Sequence, residues 1–191
     1  AEASRHDEVA AEAALELALL IGVVQSRTAE GMLLVRAAEA ALVRMGERVE
    51  LRTRLLSIKA RILQQQGHYS EAAAALGESL QLTETNLAPG HPQVAELLTD
   101  LAAVQRAQGH PKAALELLLR SLALSEKALG PTHPQSASTL EGIGVVLYIL
   151  GRYEEAEKYG QRVLAIKEST LGAQHYGLSV PLNTLAMVWL I

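Results

Sequence analysis

The amino-acid sequence predicts an all-α fold, a stack of antiparallel helix hairpins, on three observations. A segment recurs every 42 residues: Gly67, Gly109 and Gly151 share the step, as do Ala72, Ala114 and Ala156, then Leu80, Leu122 and Leu164, then Glu84, Glu126 and Glu168. A fixed period in this range marks stacked supersecondary units rather than one closed core. Each unit holds two helical hydrophobic patterns split by a glycine. Aromatic residues are only 3% of the chain, with no Phe, so the core must be built from Leu, Ala, Val and Ile, which suit closely spaced helices. Such an array has no built-in catalytic cleft and offers a partner a long exposed surface.

Taken in order, residues 1–48 form a divergent first hairpin. Ala18 and Leu20 fit the small and apolar positions of the period, but Gln25 stands in place of the glycine and Glu30 in place of the alanine. Residues 15–24 and 32–42 read as two helices, with 25–29 as the turn. The apolar run 13–24 is interrupted by Glu16 and is shorter than the roughly 20 residues a membrane span needs. It reads as a buried helix.

Four units follow, at 49–90, 91–132, 133–174 and a partial one at 175–191. Pro92 and Pro134 stand where the first residue of helix A belongs, because proline has a helical φ and lacks only an N–H that would be unpaired there. Leu98, Leu101, Ala102 and Gln105 share one face of helix A by the i, i+3, i+4, i+7 rule, as do Leu140, Ile143, Gly144 and Leu147. Gly109 and its equivalents end helix A in the left-handed conformation. Positions 60, 102, 144 and 186 hold Ala, Ala, Gly and Ala, opposite Ala72, Ala114 and Ala156 of helix B, so the two helices can approach closely. Lys59 takes the place of a core Leu and is expected to snorkel at a solvent-facing edge. Pro181 should delay or kink the last helix A.

With 191 residues, 49% of them hydrophobic, the chain can bury a substantial core. A net charge of −4 and a pI near 5.9 lack the basic footprint of a chain held to phosphate backbones or anionic lipid, so neither nucleic acid nor membrane is expected as a direct partner. The absence of Cys leaves no disulfide framework or thiolate metal site and suits a reducing, cytoplasmic compartment. No secretory leader is legible, and both ends read as the boundaries of a piece of a longer protein. The last helix A lacks its helix B, so Leu185, Val188 and Trp189 should expose apolar surface and promote self-association there.

No chemistry-bearing constellation emerges. His91, His133 and His175 share one repeat position and should be spread along the array, whereas a metal needs convergent ligands. They read as loop or cap residues. Glu84, Glu126 and Glu168 fall one per unit as polar contacts, and Ser79 and Ser121 have no base nearby in sequence. No catalytic residue, cofactor or metal ligand is expected.

The pattern L-x-x-L-A, then G-x-Y-x-E-A, then A-L-x-I-x-E-x-x-L-G-x-x-H-P resembles tetratricopeptide repeats of the 42-residue, kinesin-light-chain-like type over residues 49–191. Its helix A signature falls on Leu98, Leu101 and Ala102, on Leu140, Ile143 and Gly144, and on Leu182, Leu185 and Ala186. Its turn falls on Gly67, Tyr69, Glu71 and Ala72 and on Gly151, Tyr153, Glu155 and Ala156, whereas Pro111 replaces the turn Tyr of the middle unit. The resemblance implies a right-handed solenoid, the TPR superhelix, and a partner-binding concave face lined by helix A. In this frame that face holds Arg54, Ser57, Arg61 and Gln64; Glu96, Thr99, Ala103 and Arg106; Ser138, Glu141, Val145 and Tyr148; and Val180, Asn183 and Met187. Of the Asn residues that commonly line the groove in this family only Asn183 is matched, and the Lys/Asn/Arg clamp for a C-terminal carboxylate is missing. Arg54, Arg61 and Arg106 with Tyr148 suit an acidic, aromatic-bearing segment.

The wording of the first hairpin and of residues 49–72 is similar to the repeat region that follows the catalytic domain of bacterial, notably myxobacterial, serine/threonine kinases. No Gly-rich loop, H-R-D or D-F-G is present. The expected function is therefore a non-catalytic protein interaction module of a larger bacterial signalling protein. The alternative is the ligand- or partner-sensing helical arm of a transcription regulator.

Overall fold

The computed structural model describes residues 2–46, 48–87, 90–134, 136–172, 176–179, 182, 185 and 186. They form α1 (Glu2–Leu17), which continues as a π-helical segment (Ala18–Val24), then α2 (Thr28–Met45), α3 (Val49–Gln65), α4 (Tyr69–Asn86), α5 (Pro92–Ala107), α6 (Pro111–Leu129), α7 (Ser136–Ile149), α8 (Tyr153–Leu171) and a short 3-10 turn (Tyr176–Leu178). No strand occurs among the described residues. The helices fall into two compact units, Ala1–Pro89 and Gly90–Ile191. In the first, α1 packs on α2, α2 on α3 and α3 on α4; in the second, α5 packs on α6, α6 on α7 and α7 on α8.

The tight turns inside the hairpins follow from one backbone device. Gly67, Gly109 and Gly151 have φ of +79°, +82° and +73°, a region that strains any residue with a Cβ. Around them the N–H groups of His68, His110 and Arg152 reach back to the carbonyls of Leu63, Gln105 and Leu147, while the glycine N–H groups bond to Gln64, Arg106 and Tyr148. This double closure satisfies the orphan carbonyls of the first helix and aims the chain into the second.

Helix B then starts at Tyr69, Pro111 or Tyr153. Pro111, at the place of the turn Tyr, serves as the first residue of α6, where its fixed φ is already helical. Pro92 likewise begins α5. Pro134 does not begin α7: Ser136 N–H bonds to the carbonyl of His133 and Ala137 N–H to that of Pro134. These i to i+3 bonds make a tight entry turn before the α-helical ladder.

The predicted core faces are buried. Leu98, Ala102, Leu140, Ile143 and Leu147 are enclosed, and so are Ala60, Ala72, Ala114 and Ala156 at the helix A to helix B contacts. Leu101 and Gln105 are half-buried, and Ala186 is exposed. Lys59 does not end in water alone: its Nζ lies 3.1 Å from Glu39 Oε1 on α2, with both side chains about two-thirds buried. Leu185, expected to be exposed, is buried against Gly160, where an added Cβ would come within 2.9 Å of its Cδ2. The missing side chain of Gly160 is what makes room for it. Val188, Trp189 and Pro181 lie outside the described residues.

The first hairpin departs from expectation in three ways. Its first helix begins at Glu2, well before residue 15. That helix is buried on one side only: Ala11, Leu15 and Ala18 are enclosed, while Leu17, Leu20 and Val24 on the other side are open. The turn occupies 25–27, and α2 starts at Thr28.

The cause of the weakened period is the π-helical segment, since a π-bulge absorbs one inserted residue inside a helix. Before it the step to the next hairpin is 42, with Ala11 matching Thr53 and Ala18 matching Ala60. After it the step is 41: Ser26 matches Gly67, Gly31 matches Ala72 and Ala38 matches Ser79. Ser26, at φ +57°, is the only described non-glycine residue in the left-handed region. Gly31 meets Gly22 so closely that a Cβ on Gly22 would lie 2.8 Å from the Gly31 Cα. The Val23 carbonyl accepts a hydrogen bond of 2.9 Å from Gln65 Nε2 on α3.

Candidate functional site

The described residues among those expected on the concave face come from helix A of their hairpins, and each unit carries its own set. In the first unit α3 carries them. Arg61 is exposed and Arg54, Ser57 and Gln64 are half-buried. Arg54 Nη2 contacts Glu16 Oε1 on α1 at 2.5 Å, and Ser57 Oγ donates to the carbonyl of Thr53 at 3.0 Å. Arg61 is thus the most exposed cation of this set by position, and Arg54 stands beside the Glu16 carboxylate.

In the second unit α5 and α7 carry the set. Glu96, Arg106 and Ser138 are exposed, and Ala103, Glu141, Val145 and Tyr148 are half-buried. Thr99 and Glu141 of this set are engaged by neighbouring helices. Thr99 Oγ1 donates to the carbonyl of Ala95 and lies 2.9 Å from Ser121 Oγ on α6 and 3.1 Å from Thr139 Oγ1 on α7. Glu141 Oε1 is 2.5 Å from Lys167 Nζ on α8, and Lys167 also donates to the carbonyl of Gly177. Tyr148 packs against the hydrophobic core and its ring stands 5.5 Å from that of Tyr153, tilted by 58°. Asn183, Met187 and Val180 lie outside the described residues.

The hydroxyl cluster escaped the sequence reading. Ser121 Oγ, fully buried, donates to the carbonyl of Ala95 at 2.7 Å, and Ser79 Oγ makes the equivalent bond to the carbonyl of Thr53 at 3.2 Å. Both bonds join residues 26 apart, so the small position of helix B is a repeated polar tie to helix A. The 42-residue step between Ser79 and Ser121 was the available signal. Ser79 and Ser121 bond to carbonyls, Ser121 also meets Thr99 and Thr139, and among the described residues no imidazole or carboxylate is bonded to these hydroxyls.

The charged residues of both units act mainly as ties between helices. Asp7 on α1 receives a bifurcated contact from Arg44 on α2, and that hydrogen bond holds its carboxyl below the ordinary value. Arg52 pairs with Glu78, and Arg162 joins Glu126, one of the repeated acids, while donating to the carbonyl of Pro131. At the start of helix B the pairs Arg27 with Glu30, His68 with Glu71 and Arg152 with Glu155 repeat one arrangement, and the Arg152 guanidinium lowers the pKa of Glu155. His91 caps α5, its Nδ1 accepting from Gln93 N–H at 3.3 Å. Among the described residues no group of three or more His, Asp or Glu could hold a metal ion, and no helix is long and apolar enough to cross a membrane.

A tetratricopeptide repeat family model matches residues 51–127, 113–169 and 135–189. No curated protein matches the chain in sequence. Among solved structures, the kinesin light chain nearly identical TPR-like repeats of Podosopora anserina superpose with a TM-score of 0.76 at 22% identity, over 98% of this chain and 87% of that one. BtubC (BKLC) from P. vanneervenii gives 0.73 at 20% identity over 98% and 80%. The apo form of RapI gives 0.71 at 18% identity over 86% of this chain and 44% of that one. With the family model spanning most of its length and its helix hairpins sharing the fold of these repeats, the chain belongs to the tetratricopeptide repeat family and adopts its all-α solenoid fold.

Proposed function

We propose that the chain is a non-catalytic protein interaction module of a larger bacterial signalling protein, the repeat region of a serine/threonine kinase. In this reading it works in the cytoplasm, recruiting partners or docking on its own catalytic domain. The observation that carries the reading is the exposed polar face of helix A, with Arg61 on α3 and Glu96 and Arg106 on α5. These side chains stand on helices held rigid by buried Leu and Ala, and a fixed surface lowers the ordering cost of binding. The wording of residues 28–72 supports the kinase context.

In the second unit the cation at 106 favours an acidic segment and Tyr148, half-buried on α7, offers a ring edge for an apolar or aromatic side chain; in the first unit the cation at 61 favours an acidic segment of its own. A labelled peptide with Asp or Glu on both sides of a Trp tests this by fluorescence anisotropy. Arg106→Glu should weaken binding about tenfold, a change of about 1.4 kcal/mol, and the affinity should fall with added salt. Arg61→Glu, measured alone, reports on the first unit. Binding that is unchanged in both variants removes the helix A cations from the proposal.

A further inference from the structure

The outer side of the first helix carries an apolar row with no described residue over it. Val9, Leu17, Leu20 and Val24 are 65%, 45%, 49% and 69% exposed, and Ala13 between them is exposed as well. Spacings of 3 and 4 put them on one side, opposite the buried Ala11, Leu15 and Ala18. A helix that is apolar on both sides is built for burial on both.

The repeat step identifies what the row is for. Adding 42 to positions 13, 17 and 20 leads to Leu55, Lys59 and Ile62 on α3. There the row receives the preceding hairpin. Ile62 lies against Gly22 and Gly31, so close that a Cβ on either would approach its Cδ1 to 2.8 or 3.0 Å. Lys59 pairs with Glu39 of α2, and Leu55 and Ile62 are fully buried. Two further steps lead to Thr139, Ile143 and Val146 on α7, each no more than 3% exposed, where α5 and α6 pack. The row on α1 is the same receiving face, left open. From Val9 to Val24 it runs about 22 Å at 1.5 Å per residue, the length of a helix of about four turns.

Charge selects the occupant. The exposed carboxylates of Glu12 and Glu16 lie along one flank of the row, and Glu16 is balanced by Arg54, leaving Glu12 to face whatever docks. A second copy laid antiparallel across the middle of the row would bring the acidic flanks of the two copies together, which is repulsive.

We propose that this face docks an amphipathic helix of a partner protein, apolar at i, i+4, i+7 and i+11 and bearing Lys or Arg on the flank opposite Glu12. That helix lies along α1 as α2 lies along the matching row of α3. The surface is separate from the helix A cations of the proposed function and stands or falls without them.

The test uses the whole chain and three fluorescein-labelled 16-residue peptides: one with a Leu row and a Lys flank, the same peptide with Glu for Lys, and a scrambled version of the first. The Lys peptide should bind saturably and at least tenfold more tightly than the other two. Leu20→Glu should abolish the binding and Glu12→Lys should reverse the preference between Lys and Glu peptides, with helical circular dichroism and melting temperature unchanged because both positions are exposed. Arg106→Glu should leave this binding as it is. Equal binding of the Lys and Glu peptides, or no binding, overturns the proposal. So does a concentration-dependent dimer in sedimentation that Leu20→Glu dissolves, because it assigns the face to a second copy.

Discussion

Ser136 and Val94 occupy the same position one repeat apart, yet the first brings a hydroxyl into a place built for an apolar side chain. Ser136 is fully buried, and its Oγ has no hydrogen-bond partner among the described residues. A buried, unpaired hydroxyl costs about 1–3 kcal/mol. Ser136→Ala should therefore stabilise the protein by about 1 kcal/mol, raising the melting temperature by roughly 2–4 °C for a chain of this size; a fall in calorimetry would show that the hydroxyl is bonded. Asp7 supplies a residue-scale prediction in pH. Its pKa is lowered, first by the hydrogen bond from Arg44, so the contact adds stability that is complete above the ordinary carboxylate pKa. That stability disappears as the pH falls through the lowered one. In a carboxyl-carbon NMR titration Asp7 should titrate below the ordinary aspartate range, and Arg44→Gln should return it to that range. An unchanged midpoint in the variant would remove Arg44 as the cause. At this scale the sequence spoke plainly where backbone geometry demands one residue type, as at Gly67, Gly109 and Gly151. It was silent at Ser26, which takes a left-handed φ despite its Cβ.

At the scale of elements, the helices of the 42-residue units were legible because period, proline and glycine agree, and the first hairpin was obscure because one residue is inserted in it. A fixed step compares Glu30 with Ala72 and finds a mismatch. The π-helical segment moves the comparison to Gly31, whose contact with Gly22 does the work of the alanine pair. The start of α1 was missed for a different reason: its first turns are rich in Ala and Glu and carry no dense apolar run. The bulge makes two predictions. Gly31→Ala should destabilise by about 1–3 kcal/mol, since its Cβ would fall on the Gly22 backbone, whereas Gly77→Ala, with open space around it, should be neutral or stabilising by roughly 0.5–1 kcal/mol. Deleting the exposed Val24 should convert the π-helical segment to α-helix and leave α2 packed in its present register. Deleting Lys59 from the regular α3 should shift the buried face and unfold the hairpin. Equal damage from the two deletions in urea titrations would show that the bulge is not an absorbed insertion.

For the whole molecule, the same periodicity that disclosed the fold could not disclose which groove residues are already engaged. Thr99 and Glu141 stand at equivalent helix A positions, and each is tied to helix B, by Ser121 22 residues on in one case and Lys167 26 residues on in the other. A 3.6-residue period places a side chain on a face of its helix, but it does not tell what the neighbouring helix sets against it. The stacking that creates those ties also governs how the molecule comes apart. Within each compact unit the helices pack on their neighbours in sequence, so stability should be a sum of hairpin terms and nearest-neighbour terms, and local damage should stay local. Leu140, fully enclosed in the core of α5–α8, is the site to test it. Leu140→Ala should cost about 2–5 kcal/mol, and native-state hydrogen exchange should show the loss in α7 and α8 and their partners α5 and α6. Protection in α1 and α2 should stay near that of the parent chain, because that hairpin belongs to the other compact unit. A uniform loss of protection from α1 to α8 would mean that the array unfolds as one cooperative block, and the nearest-neighbour account of this solenoid would have to be abandoned.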